Sequence, residues 1–221
     1  MKHPALCCAV TALLLPLLSG APSAHAQDTY WYAGLGAGYS RVQFYTADFS
    51  FGGSAACSPR GACTETKKEF DGGFKGFIGY QINRNWAAEV SYATVGKFHY
   101  KYNDGTITQD GTYKVTGVGF SAIPTVPFTR NFSLYGRFGA FFSQTRLTFY
   151  NGGFVAGASS DGRQVSETSF LTGFGAQYFF AGDNGIRIEY ENFGTVGDCS
   201  IQPCVGRANA KMASVNLVFK F

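Results

Sequence analysis

The feature that most constrains this chain is a period-two alternation of apolar side chains with small or polar ones, recurring eight times beyond residue 27. Successive side chains of an extended strand point to opposite faces, so each stretch is a ribbon with one greasy side. In the first, about 30–44, Trp31, Ala33, Leu35, Ala37 and Tyr39 share one face, and Tyr32, Gly34, Gly36, Gly38 and Ser40 the other. The second, about 70–82, sets Phe70, Phe74, Ile78, Tyr80 and Ile82 against Gly73, Lys75, Gly79 and Gln81. The third starts at Trp86 and sets Trp86, Ala88, Val90 and Tyr92 against Ala87, Glu89, Ser91 and Ala93. In the fourth, about 112–126, Val118, Phe120, Ala122 and Val126 oppose Gly117, Gly119 and Ser121. Pro124 falls inside it, where a missing N–H predicts the strand's end or a bulge.

The fifth stretch places Phe132, Leu134, Phe138, Ala140 and Phe142 against Ser133, Tyr135, Arg137 and Gly139. The sixth places Phe170, Phe174, Ala176 and Tyr178 against Gly173, Gly175 and Gln177. In the seventh, Ile186, Ile188 and Tyr190 oppose Arg187, Glu189 and Glu191. In the eighth, Ala213, Val215, Leu217, Phe219 and Phe221 oppose Ser214, Asn216, Val218 and Lys220. Connections are long over about 45–69, medium over 102–111 and long over 150–166 and 195–210, with short turns at Asn83, Pro127 and Gly182 between them. Every second connection is tight, and both ends of the chain fall on the tight side. That ordering predicts an all-β fold, an eight-stranded antiparallel up-and-down transmembrane β-barrel, in the bacterial outer membrane with both termini periplasmic.

The N-terminus agrees with that destination. Lys2, a greasy stretch from Ala9 to Leu18 and the small-x-small end Ala24-His25-Ala26 read as a cleaved signal peptide over 1–26, leaving the barrel domain as 27–221. Cys7 and Cys8 stand in the wrong place for a lipid-modified N-terminal cysteine. Beyond Gln27 no run of even ten apolar residues occurs, far short of the roughly 20 that a spanning helix needs.

Alternation alone does not say which face is outside. A soluble ligand-carrying barrel would keep its greasy face inward and its charges in water. Here only 14% of residues are charged, 29 are glycine, and the less apolar face is largely Gly, Ser and Ala with one or two ionisable residues per strand. Such a face makes a poor solvent surface and suits a narrow lumen that side chains fill. The expected lumen charge network is Lys75, Glu89, Arg137, Arg187, Glu189, Glu191 and Lys220, nearly balanced because an unpaired buried charge costs several kcal/mol. Trp31, Tyr80, Trp86, Phe132 and Phe219 near the short turns, and Tyr39, Phe70, Tyr92 and Phe142 near the long loops, predict aromatic belts at the two membrane interfaces.

Trp31 to Tyr39, the strand Trp86 to Tyr92 with inward Glu89, the segment Tyr135-Gly136-Arg137-Phe138-Gly139, and the ending Val215 to Phe221 resemble the OmpA-type (OmpA/OmpX-like) eight-stranded outer-membrane barrel family. The resemblance covers nearly all of 28–221. It implies an inward Glu and Arg at Glu89 and Arg137 within a salt-bridge network that blocks or gates the lumen. It also implies that Val215, Leu217, Phe219 and Phe221 form a tail read by the barrel assembly machinery. Because the chain ends at the barrel, the peptidoglycan-binding domain of full-length relatives is expected to be absent.

Other chemistry finds little support. The mature net charge is +3, from 17 Lys and Arg against 14 Asp and Glu once Lys2 leaves, too small and scattered for nucleic acid. Cys57 with Cys63 and Cys199 with Cys204 suggest two short-loop disulfides in an oxidising compartment, although four cysteines allow three pairings. Their spacing and a single mature histidine, His99, argue against zinc. Gly34, Gly36 and Gly38 lie within a strand and only mimic a phosphate loop. A lipid A hydrolase would need a histidine beside a serine and a carboxylate, and no such grouping stands near His99. No enzyme, cofactor or metal is therefore expected. The expected partners are outer-membrane lipid and lipopolysaccharide, the assembly machinery and an unknown surface ligand at the loops, with the barrel a monomer. Two functions stand open: a surface-interaction scaffold, or a narrow gated pore.

Overall fold

A computed structural model describes residues 29–45, 64–103, 108–149, 162–180, 183–198 and 206–221. The proposed signal peptide and Cys57, Cys63, Cys199 and Cys204 lie outside the described residues. The strands are β1 (Tyr30–Phe44), β2 (Thr64–Lys68), β3 (Phe70–Asn83), β4 (Trp86–Asn103), β5 (Thr108–Pro127), β6 (Phe132–Phe149), β7 (Gly162–Phe179), β8 (Asn184–Val196) and β9 (Ala208–Lys220). β2 and β3, interrupted only at Glu69, both pair with β4 and make one stave. β1 pairs with β3 and β9, and β4 with β5, so the eight staves close antiparallel on themselves. Closure matters because hydrocarbon offers no water to an exposed N–H or C=O.

The tight turns are built from side chains that replace missing ladder bonds. Asn83 Oδ1 accepts the backbone N–H groups of Asn85 and Trp86 at 2.9 and 3.0 Å, an Asx turn. Thr129 Oγ1 does the same for Asn131 and Phe132. The start of β1 and the residue after β9 meet at this turn end of the barrel, where the Phe221 N–H donates to the Trp31 carbonyl at 2.9 Å. Pro124 neither ends β5 nor bulges it, contrary to expectation. The β5–β6 pairing skips Ile123 and Pro124 and resumes in unchanged register at Thr125.

The orientation of the faces follows the alternation. Leu35, Phe74 and Phe170 are 71%, 70% and 68% exposed, whereas Lys75, Glu89, Arg137 and Arg187 are buried around the axis. Oily side chains therefore point away from the cylinder and ionic ones into it. Ring pairs mark both ends of the β1–β3 ladder, Trp31 with Tyr80 (centroids 5.0 Å apart) at the turn end and Tyr39 stacked on Phe70 (5.4 Å) at the loop end. Phenylalanines also occupy the wall between them, Phe74, Phe120 and Phe174 among them.

The strands run further into the long connections than the alternation suggested. β4 to β7 have 18 to 20 residues, against the ~9–11 that a tilted strand needs to cross a bilayer, and only 104–107 separates β4 from β5. Two bulges shape this extension. At Gly96 (φ 129°) and Gly194 (φ 73°) the backbone enters the left-handed half of conformational space that glycine tolerates, and the register of β4 on β5 and of β8 on β9 shifts there. Each extra residue exchanges the faces beyond it. β4 buries Glu89, Ser91, Ala93 and Val95 below its bulge but Phe98 above, and β8 buries Glu189, Glu191 and Phe193 below but Val196 above.

A closed ladder of this kind resists detergent. Unheated protein is expected to run at a different mobility from heated protein on a detergent gel, and equal mobility of the two samples contradicts closure.

Candidate functional site: the charged layer of the lumen

Four staves deliver six ionisable side chains to one level of the lumen. Inward positions recur every second residue, so Arg187, Glu189 and Glu191 all enter from β8, while Lys75 comes from β3, Glu89 from β4 and Arg137 from β6. Glu89 links two cations: it pairs with Arg137, and its Oε2 lies 2.7 Å from Arg187 Nη1. Glu189 pairs with Lys75 and lies 3.5 Å from Arg137 and 3.4 Å from Arg187. Glu191 completes the set, 2.8 Å from Lys75 Nζ and 3.2 Å from Arg137 Nε. Three cations thus interlock with three anions, and each touches at least two of the opposite sign. Transfer of an isolated ion from water would cost several kcal/mol, and mutual pairing at zero net charge offsets that cost.

Neutral groups take up some of the remaining donors and acceptors. Tyr32 donates its hydroxyl to Glu89 at 3.2 Å, Arg137 donates to Ser121 at 3.0 Å, and Arg187 donates to Gln177 Oε1 at 3.0 Å. Gln177 in turn donates to Ser133 at 2.8 Å. The Arg187 guanidinium is also ringed by aromatic groups, 4.7 Å from the Phe77 centroid, 4.9 Å from Tyr135 and 5.2 Å from Tyr32, where the electron-rich ring faces attract a desolvated cation.

Lys220 does not join this layer, which corrects the expected set of seven. It stands at the turn-end mouth, its ammonium 3.6 Å from the Phe179 ring centroid and 4.5 Å from Tyr30. There it lines a vestibule of about 730 Å³ with Arg84, Arg130, Asp183, Gln81 and Gln177. The physical reason is length. Lys220 lies one residue from the end of the chain and pairs with Tyr32, beyond the level at which β8 places its carboxylates. Without it, the layer is balanced at three against three.

The lumen is also greasier than expected. On the turn side of the charges Tyr32, Phe77, Ala87, Ile123, Tyr135, Phe179 and Val218 pack together. On the loop side fifteen buried residues, including Phe98, Tyr113, Phe141, Leu147, Leu171, Phe193 and Met212, fill the extended part of the barrel. Tyr113 donates to the Val196 and Gly206 carbonyls at 3.1 Å, tying β5 to the ends of that plug. Inward parity already marked Tyr32 and Tyr135. Part of the loop-side plug escaped notice because Phe98 on β4 and Val196 on β8 lie beyond a change of face, and Val196, Ala208 and Ala210 lie where a loop was expected.

His99 is exposed on the outer wall of β4, opposite Thr112 and Lys68. Among the described residues no group of three His, Cys, Asp or Glu side chains could hold a metal ion.

The inward Glu and Arg, interlocked inside an eight-stave cylinder, are what the tail and first-strand similarities implied, and the family comparison decides the matter. The OmpA-like transmembrane domain matches residues 25–221. The chain belongs to that family. Outer membrane protein A of Yersinia pseudotuberculosis is 26% identical over 213 residues, covering 95% of this chain and 54% of that protein. The protein of the same name from Klebsiella pneumoniae is 28% identical over 216 residues, 93% of this chain and 54% of its own length. The chain thus spans about half the length of these relatives. Among solved structures it aligns with the attachment invasion locus protein Ail of Yersinia pestis (17% identity, TM-score 0.44, 86% of this chain and 99% of that one). It also aligns with OprG of Pseudomonas aeruginosa (13% identity, TM-score 0.47, 89% and 96%). This OmpA-like barrel is an outer-membrane protein.

Removing one partner from the charged layer strands another. Lys75→Met alone is expected to lower unfolding free energy in urea by ~3–5 kcal/mol. Combined with Glu191→Gln it should cost clearly less than the two single changes added, and strict additivity over this double-mutant cycle contradicts the pairing.

Proposed function

We propose that this barrel is a closed scaffold in the outer membrane, with termini and tight turns in the periplasm and the loop end presented outward as a surface for contact with other cells or envelope components. The observation that carries the reading is the stacking of the lumen. A balanced ionic layer lies between two greasy clusters, and a hydrated ion crossing it would have to displace side chains from all three levels. The long staves support the same reading, because strands of 18 to 20 residues extend the barrel wall well past the length a bilayer needs.

A narrow gated pore is the competing function, and conductance separates the two. Purified barrel in a planar bilayer is expected to show only small or rare openings, and Glu89→Ala should not convert them into frequent ones. Large, steady openings that respond to Glu89→Ala would replace the scaffold by a gated channel.

The alternating segment Val215, Leu217, Phe219 and Phe221 presents a continuous outward apolar edge, and we read it as the part recognised by the barrel assembly machinery. Deleting Phe221 is expected to reduce insertion into the outer membrane in cells far more than it lowers the stability of refolded barrel. Equal losses in both measurements would remove the recognition role.

A further inference from the structure

The outward side chains of the β4–β5–β6 wall change character in ordered rows. Tyr92, Val118 and Phe142 are direct cross-strand neighbours; so are Thr94, Thr116 and Gln144; and so are Lys97, Lys114 and Arg146. Passing toward the loop end, the wall is thus apolar, then uncharged polar, then cationic. All three cations are exposed. Like charges placed directly opposite one another across strands destabilise a sheet, and among the described residues none of the three forms an ion pair with a carboxylate. Asp71 approaches this wall, but its carboxylate accepts the backbone N–H of Lys97, at 2.6 Å. Lys68 and Lys101 extend the positive surface, opposite His99 and Asp110 respectively.

The row is partly made by the fold. On β4 the inward residues before the bulge are odd-numbered, and it is the shift at Gly96 that turns Lys97 out beside Lys114. A strand without the bulge would aim this ammonium into the greasy plug.

We propose that Lys97, Lys114 and Arg146 form a docking site for the phosphate groups of the phosphorylated lipid of the outer leaflet, lipopolysaccharide, whose acyl chains lie against the Tyr92–Val118–Phe142 row. The inference rests on the outward loop end proposed above. Height agrees with it: four residues at ~3.3 Å each on a strand tilted by ~40° place the cations ~10 Å above the apolar row. A headgroup layer is ~7 Å deep on each side of the hydrocarbon, and long basic stems bend toward that interface. Arg146 can grip a phosphate through two parallel N–H bonds while the lysines act as point charges. A soluble polyanion would use the cations alone. The contiguous apolar row selects a ligand that carries acyl chains as well as phosphate.

The test uses the full chain refolded in detergent micelles, with binding read by native mass spectrometry against bisphosphorylated lipid A, dephosphorylated lipid A and inorganic pyrophosphate. The combined variant Lys97→Gln, Lys114→Gln, Arg146→Gln is expected to bind bisphosphorylated lipid A on the order of a hundredfold more weakly, with its weak binding of the dephosphorylated lipid unchanged. Lys114→Gln alone, which keeps every strand contact, should weaken it about fivefold, and Arg130→Gln at the opposite mouth should leave it unaltered. Equal lipid A binding by wild type and the triple variant overturns the site. Pyrophosphate binding as tight as that of lipid A overturns the choice of a lipid. Micelles are blind to orientation, so surface proteolysis of intact cells that cleaved only the turn end would overturn the outer-leaflet placement by a separate route.

Discussion

Backbone hydrogen bonding in a medium that cannot supply it governs this molecule. Every N–H and C=O at hydrocarbon depth must find a partner within the protein, and eight antiparallel staves that close on themselves achieve this without an edge. Closure also divides the side chains into two populations that cannot exchange. Those on one parity face lipid, and those on the other are enclosed in a cylinder too narrow for bulk water. The same constraint turns ionisable residues from ordinary surface groups into a problem the lumen must solve internally.

The solution is layered. Three cations and three anions at one level neutralise one another through shared partners, and Arg187 gains a further sheath of aromatic rings. Glu189 touches all three cations, so no pair within the layer is energetically separate from the rest. Packed clusters on either side keep water from competing for those contacts, which strengthens the pairing. The loop-side part of the barrel has a core like that of a soluble β protein, because its enclosed residues pack against one another.

Outside the cylinder the same staves pass through environments of different polarity, and the wall records them. Apolar residues and rings occupy the band that meets lipid, and exposed cations appear beyond it on β4, β5 and β6. The bulges join the two halves of this design. By exchanging faces at Gly96 and Gly194 they let a strand serve one alternation in the membrane and another above it.

Strand number, strand order, the facing of most residues and the inward position of six charged groups were legible in the amino-acid sequence, because a side-chain period of two is a local property that needs no knowledge of neighbours. Lys220 was misassigned to the charged layer, although it shares the inward face, because depth along the axis depends on how neighbouring staves are staggered. The continuation of β5 through Pro124 and the loop-side plug were likewise settled by partners across the sheet. Which carboxylate meets which cation, and that Lys97 stands beside Lys114 and Arg146, were decided only in the tertiary structure. Register between strands and the change of face at a bulge are set by the closing of the whole barrel, and no single ribbon carries that information.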